Sequence, residues 1–249
     1  METHFDIQLA KLKTRLFKMC SLVDEQVQFA LRAIEEEDMS LAEMVVERDK
    51  KVDKYDVKIE KICQKLFALN QPVAMDLRLI MSAMTINTNL ERIGDIAVNI
   101  AENFIRLRTK PAFLEKTKIN QMSMIVKEML RNAIDSFIQN DPKLAEKVIR
   151  SDDELDALNA ENHKVLIEIM KEDKENIEPA VTFLVTSREL ERIGDHATNI
   201  AEDVFFIVEA ELIKHKYEKF LFSEVENVEK EIDEEIDEDE KRNGDVQKN

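Results

Sequence analysis

One segment is present twice in this chain: residues 91–102 read ERIGDIAVNIAE, and residues 191–202 read ERIGDHATNIAE. Ten of the twelve positions are identical, whereas only Leu90 and Leu190 match among the fifteen residues before the two copies. Apolar residues inside the segment recur every three or four positions, which is typical of the buried side of an α-helix. The repeat therefore predicts two equivalent helices, and its identical polar residues indicate a role beyond packing.

The same apolar spacing continues through most of the chain and predicts six long helices in two sets of three. Glycine and proline, which form the turns of β-sheets, are scarce, with 3 Gly and 4 Pro in 249 residues. We therefore predict an all-α fold of two tandem antiparallel three-helix bundles with an approximate internal two-fold repeat. The predicted units are residues 1–110 for the first bundle, residues 118–222 for the second, and an acidic, disordered tail at residues 223–249.

Charge and composition exclude several classes of protein. The formal net charge of −17 argues against nucleic-acid binding, which depends on basic residues that neutralise phosphates. Glycine is present only at positions 94, 194 and 244, so neither the GxGxxG nor the P-loop nucleotide motif can be formed. Cys20 and Cys63 form no CxxC pair, and no run of 18 apolar residues is present. We expect a cytoplasmic protein without membrane insertion.

The polar residues of the repeated segment share one side of its helix. Glu91, Asp95, Asn99 and Glu102 fall within about 80° at 100° per residue, almost opposite the apolar residues. The ordinary interpretation is the solvated face of an amphipathic helix. A solvated face would tolerate differences between the two copies, however, and these positions do not differ.

A second repeated pattern precedes the first. Residues 41–56 read LAEMVVERDKKVDKYD and residues 144–159 read LAEKVIRSDDELDALN, so both contain a DxxxD pair. If helices two and three of the first half are antiparallel, Asp49 lies level with Asp95. The same register places Asp53 level with Glu91, and the second half repeats the arrangement.

Four carboxylates at one level of a helical hairpin repel one another unless a cation neutralises them. Ligands that are all oxygen suit Mg²⁺, Mn²⁺, Ca²⁺ or iron, and four to six carboxylates can bridge more than one ion. A ferritin-like di-iron site would require a Glu three residues before a His, and none of the 4 His has one. The alternative is that these residues are surface carboxylates without a metal.

The glycines of the repeat also predict a structural feature. Gly94 and Gly194 each directly precede the Asp of the motif. A glycine inside a helix costs about 1 kcal/mol relative to alanine. We therefore predict that a Cβ at either position would clash with a neighbouring helix and disturb the adjacent carboxylates.

Three other residues of the repeat receive ordinary interpretations. Arg92 and Arg192 are predicted to form surface ion pairs. His196 replaces Ile96, so its ring should point away from the acidic side of the helix and take part in packing.

Together, the duplicated ERIGDxAxNIAE segment, the two DxxxD pairs and QPVAMDLR at residues 71–78 resemble the PhoU family of phosphate-signalling regulators. The resemblance covers about residues 5–220 and implies two three-helix bundles, often in a homodimer, with multinuclear metal sites in which iron is the first candidate. The ligands implied are Asp49, Asp53, Glu91 and Asp95 in a first site, and Asp152, Asp156, Glu191 and Asp195 in a second. The peripheral ligands implied are Asn99, Glu102, Asn199 and Glu202.

The resemblance also implies a function. Such proteins are negative regulators of phosphate uptake and of the phosphate-starvation two-component response. They bridge the ATPase of the phosphate importer and the membrane sensor histidine kinase, which would bring a cytoplasmic protein to the inner membrane. The residues alone leave three alternatives open: a non-enzymatic regulatory adaptor, a metal-dependent phosphohydrolase, and a helical scaffold whose acids serve only solubility.

Overall fold

Six α-helices make up almost all of the part of the chain that the computed structural model describes, residues 4–210. No strand is present within these residues, so the predicted all-α fold is confirmed. The predicted acidic tail at residues 223–249 lies outside the described residues. The helices are α1 (His4–Glu36), α2 (Met39–Asn70), α3 (Ala74–Leu107), α4 (Ile119–Gln139), α5 (Pro142–Glu172) and α6 (Ile177–Glu209).

Side chains and backbone conformation account for the helix ends. Asp38 begins α2 by accepting hydrogen bonds from the backbone N–H groups of Ser40 and Leu41, and Asp141 begins α5 in the same way. Each such cap is worth about 1 kcal/mol. The residues after α2, α3 and α4 have positive φ although none is glycine: Gln71, Arg108 and Asn140. Glycine is the usual residue at such positions after a helix, but these three helices have other residues there. Two glycines lie instead inside α3 and α6.

The helices pack in two sets, α1–α3 and α4–α6, and the two sets meet mainly through α3 and α6. All six belong to one compact unit. The helices that carry the repeated segment are therefore also the helices that join the two halves. Each of them buries fifteen residues, more than any other helix of the described part.

The connection between the halves is attached to the core. A short 3₁₀ turn at Ala112–Lys116 buries Phe113 and Leu114, and the Phe113 ring lies edge-on to Phe183 of α6. The backbone N–H of Lys118 then donates to Oδ1 of Asn162 in α5 at 2.9 Å. None of the helices within residues 4–210 contains a stretch that is both long and apolar enough to cross a membrane.

Candidate metal centres

The predicted register of the first hairpin is present in the structure. Oδ1 of Asp49 in α2 lies 3.6 Å from the position that a Cβ on Gly94 of α3 would take. In the second half, Oδ1 of Asp152 in α5 lies 3.4 Å from the equivalent position on Gly194 of α6. Asp49 and Asp152 therefore each face the part of the repeated segment that contains its Gly-Asp pair.

We call Asp49, Asp53, Glu91 and Asp95 the first cluster. Asp53 is exposed, and the other three are half-buried. Burial raises the pKa of Asp49, and the charges of Asp53 and Asp95 raise it further. Burial likewise raises the pKa of Glu91, with Asp95 as the next cause. The charges of Asp53 and Asp95 are thus close enough to disfavour the ionised forms of Asp49 and Glu91.

We call Asp152, Asp156, Glu191 and Asp195 the second cluster. Burial, followed by the charges of Asp195 and Asp156, raises the pKa of Asp152 to about 7. The pKa of Glu191 is raised by burial and then by Asp195, and that of Asp195 by burial and then by Asp156. The repulsion predicted from the repeat is therefore present in both halves.

A residue of α1 that the sequence analysis did not select distinguishes the two clusters. The fully buried side chain of Gln26 donates from Nε2 to Oδ1 of Asp49 at 3.1 Å and to the backbone oxygen of Gly94 at 3.4 Å. This hydrogen bond partly offsets the rise in the pKa of Asp49. Met129, which precedes Asp152 by the same 23 residues, takes the place of Gln26 in the second half and lies beside Gly194. In the sequence, Gln26 could have been recognised as a polar residue beside the regularly spaced apolar residues of α1.

Asp56 extends the acidic side of α2 beyond the first cluster. Nδ2 of Asn87 in α3 donates to Oδ1 of Asp56 at 2.6 Å, and burial raises the pKa of Asp56. In the second half, Ser187 donates to Oδ1 of Asn159 at 2.7 Å at the matching level. This position is therefore a carboxylate only in the first half. Asp56 lies three residues after Asp53, so the sequence alone could have placed it on the same side of α2.

The donor types suit a hard cation, although the side-chain positions do not yet form a ligand set. Oδ1 of Asp152 and Oε2 of Glu191 are buried and have no hydrogen-bond partner among the described residues. Within residues 4–210, however, no three His, Cys, Asp or Glu side chains converge closely enough to hold one ion. Coordination would therefore require rotation about side-chain torsions, which half-exposed carboxylates can undergo.

The four peripheral candidates are less closely associated with the clusters. Glu102 lies 3.4 Å from Arg106 in an exposed ion pair. Nδ2 of Asn199 lies 3.5 Å from Oδ1 of Asn89, which directs it towards α3 rather than α5. Asn99 is exposed and Glu202 is half-buried on the same sides of their helices as the clusters.

The interpretations of the arginines and of His196 agree with the structure. Arg92 lies 3.6 Å from Glu91 and 3.7 Å from Asp95, and Arg192 lies 2.9 Å from Glu189. Nδ1 of His196 lies 2.9 Å from Oδ1 of Asn89 across the contact between α6 and α3. Burial lowers the pKa of this imidazole, and its contact with Asn89 joins the two halves.

Both glycines lie where two helices pack closely, but the clash predicted for an added Cβ is present only at Gly194. A Cβ on Gly94 would lie 3.2 Å from Cγ1 of Val52, which is tighter than ordinary van der Waals contact. A Cβ on Gly194 would overlap Cδ2 of Leu155, a fully buried side chain. The absence of a Cβ is thus required more strictly in the second half.

Comparison with known proteins agrees with this architecture. The family model described as PhoU domain matches the chain twice, at residues 16–104 and 119–204. A phosphate-specific transport system accessory protein PhoU homolog from Aquifex aeolicus is 41% identical over 212 residues, which are 85% of this chain and 96% of that protein. A second protein of the same description, from Xylella fastidiosa, is 34% identical over 86% of this chain and 91% of its own length.

Solved structures share the fold. The crystal structure of PhoU from Pseudomonas aeruginosa superposes with a TM-score of 0.79 at 33% identity, covering 84% of this chain and all of that one. The phosphate transport system regulatory protein PhoU from Streptococcus pneumoniae gives a TM-score of 0.76 at 27% identity, covering 84% of this chain and 99% of its own. With two domain matches, one in each three-helix half, the chain belongs to the PhoU family.

Proposed function

We propose that this protein is a regulatory accessory protein of a phosphate import system and that its two carboxylate clusters bind metal ions. The observation that carries the proposal is the presence of the same acidic arrangement at equivalent places on α2–α3 and α5–α6, in a chain of the PhoU family. The relatives described above are named as accessory or regulatory proteins of phosphate transport.

The metal ions would be held by the first and second clusters. When bound, they supply the positive charge that allows neighbouring carboxylates to remain ionised together. They would also link α2 to α3 and α5 to α6 through oxygen ligands. Iron is our first candidate, and Mg²⁺, Mn²⁺ and Ca²⁺ are the others, since all accept carboxylate oxygens.

We further propose that the protein lowers phosphate uptake and the output of the phosphate-starvation response. In this proposal it contacts the ATPase of the importer and the membrane sensor histidine kinase from the cytoplasmic side, and it does so as a homodimer. Its two similar hairpins offer two similar metal-bearing surfaces, which suits a protein that has to bind two partners.

The test is co-purification with the importer ATPase and, separately, with the kinase. The variants are Asp49→Asn/Asp95→Asn for the first cluster and Asp152→Asn/Asp195→Asn for the second. Glu154→Gln/Glu168→Gln is the matched control, because it removes two exposed acids of α5 outside the clusters. We expect wild-type and control proteins to capture at least one partner, and each cluster variant to lose capture. Absence of capture by the wild type, with and without chelator, would contradict the proposal.

One observation favours a second candidate, a metal-dependent phosphohydrolase. Each half places four carboxylates on one helical hairpin, and carboxylates that hold two or more metal ions can activate water for phosphoester hydrolysis. Purified protein loaded with Mn²⁺ or Fe²⁺ should then hydrolyse a simple phosphomonoester, and Asp152→Asn should abolish the turnover. We favour the regulatory role because the relatives are named as accessory proteins.

A further inference from the structure

A basic cleft lies between the beginning of α1 and the end of α2. Its volume is about 380 Å³. Side chains of both helices enter it, and the five cations that line it are Lys11, Arg15, Lys58, Lys61 and Lys65. We call these five residues and the space between them the basic cleft. They concentrate positive charge in a chain whose formal net charge is −17.

The cations of the basic cleft have no acidic partner at ion-pair distance in the part of the chain that the structure describes. No ion pair within residues 4–210 involves any of the five cations. The ammonium group of Lys58 lies 5.9 Å from the centre of the Tyr55 ring, which is a weak interaction for an exposed cation. Solvated lysines on one helix would be ordinary, but here cations from two helices repel one another across one concave space. A bound anion would relieve that repulsion.

Arg15 provides an observation independent of the lysines. Its side chain is half-buried, and its Nε atom is buried without a hydrogen-bond partner among the described residues. A planar guanidinium in this state retains its ability to donate two parallel hydrogen bonds to a phosphate. The cleft thus contains a partly desolvated phosphate-binding group in addition to exposed charge.

The floor of the cleft is apolar. Ile62 and Leu66 are buried beneath it, and Leu69 lines it while remaining 72% exposed. A ligand that consisted of phosphate alone would leave this surface in contact with water. The volume lies within the range of small-molecule sites, which combine an apolar surface with a few charged groups.

We propose that the basic cleft binds a nucleotide that carries two or three phosphate groups. A single phosphate carries at most about two negative charges, too few to balance five cations. Several phosphates would lie against the lysines and Arg15, and the base would pack on Ile62, Leu66 and Leu69. Binding of this kind uses side chains, so it does not require the glycine-rich nucleotide motifs that the chain lacks.

The basic cleft is separate from the metal-binding proposal. Lys58 lies nine residues after Asp49, which places it on about the opposite side of α2. Nucleotide binding can therefore be measured in the presence of a chelator, where no metal bridges a phosphate to a carboxylate cluster. The outcome does not depend on the proposed role of the clusters.

The experiment is calorimetric titration of the full chain, in EDTA, with ATP, ADP, pyrophosphate and inorganic phosphate. We expect ATP and ADP to bind and inorganic phosphate to bind at least about tenfold more weakly, which is about 1.4 kcal/mol. In Lys61→Gln/Lys65→Gln the affinity for ATP should fall at least about tenfold. The matched control Lys13→Gln/Lys51→Gln removes two exposed lysines of the same helices outside the cleft and should leave it unchanged.

A second variant tests the apolar floor. Leu69 is mostly exposed, so Leu69→Ser should not impair folding. We expect it to weaken ATP binding and to leave pyrophosphate binding unchanged. Any of three results would overturn the proposal: absence of ATP binding, equal loss in the control variant, or inorganic phosphate binding as tightly as ATP. Binding to vesicles of phosphatidylglycerol without binding to ATP would overturn it in favour of a lipid surface.

Discussion

Gly94 and Gly194 hold the same place in the repeated segment but have different surroundings. Gly94 faces Val52, whose β-branched side chain would have to yield by a few tenths of an ångström to admit a Cβ. Gly194 faces Leu155, Asp152 and Met129. The difference arises from the neighbouring helices, so the sequence of the repeat predicted the close approach but not its unequal tightness.

We expect Gly194→Ala to lower the free energy of unfolding and Gly94→Ala to change it little. Overpacking costs about 1–3 kcal/mol, while alanine in a helix recovers about 1 kcal/mol. Chemical denaturation of both variants measures the difference. As a control, Leu155→Val should reduce the cost of Gly194→Ala. A larger loss in Gly94→Ala than in Gly194→Ala would contradict this account.

Gln26 and Met129 give the two clusters different carboxyl chemistry. The amide of Gln26 stabilises the ionised form of Asp49, whereas Met129 offers Asp152 no donor. Part of this difference comes from α1 and α4, outside the repeated segments. Inside them, Thr198 replaces Val98, and its hydroxyl lowers the pKa of Asp152.

Exchanging these two residues should exchange the behaviour of the carboxyls. We expect Gln26→Met, which conserves volume, to raise the pKa of Asp49, because a hydrogen bond to the ionised form is removed. Met129→Gln should lower the pKa of Asp152. Titration of the carboxyl groups by NMR in the presence of a chelator measures both. Unchanged pKa values in both variants would show that α1 and α4 do not set the chemistry of the clusters.

At the scale of the helices, the hairpins were predictable and their partners were not. The carboxylate pairs specified the register of α2 with α3 and of α5 with α6, because residues at one level of an antiparallel pair are related by simple counting. The side chains of Asp38 and Asp141 cap the beginnings of α2 and α5. The contact between α3 and α6 did not follow, since apolar spacing shows that a face is buried but not what covers it. The hydrogen bond of His196 to Asn89 lies in that contact.

The α5–α6 hairpin should have a pH-dependent stability in chelator. The folded-state pKa of Asp152, about 7, lies above its unfolded value near 4, so the folded protein binds one more proton between these values. The contribution of Asp152 therefore makes stability fall as pH rises from about 4 to 7. Water screens this half-buried group, so the slope should be less than about 1.4 kcal/mol per pH unit.

Thermal unfolding of wild type and Asp152→Asn between pH 5 and pH 7.5 measures this effect. The asparagine variant should lose less stability over that interval, because it cannot ionise. A steeper loss in Asp152→Asn than in the wild type would contradict the assignment. Asp173→Asn, at the distant end of α5, is the control and should retain the wild-type slope.

At the scale of the whole molecule, one structural unit is used twice. Each half contains a hairpin with a carboxylate cluster, and the helix that contributes the repeated segment to that cluster also packs against its counterpart in the other half. Duplication explains why both clusters lie on equivalent surfaces. The different residues of α1 and α4 contribute to the different chemistry of the two clusters, with an amide in one half and a thioether in the other.

The measurement that tests the central claim most directly is the metal content of the purified full chain. Elemental analysis should compare wild type, Asp49→Asn/Asp95→Asn, Asp152→Asn/Asp195→Asn and the control Glu154→Gln/Glu168→Gln, each in folded form by circular dichroism. If both clusters bind metal, the wild type and the control contain the same amount, and each cluster variant loses a substantial part of it. Equal metal content in all four proteins, or none in the wild type after exposure to iron and manganese, would contradict the account.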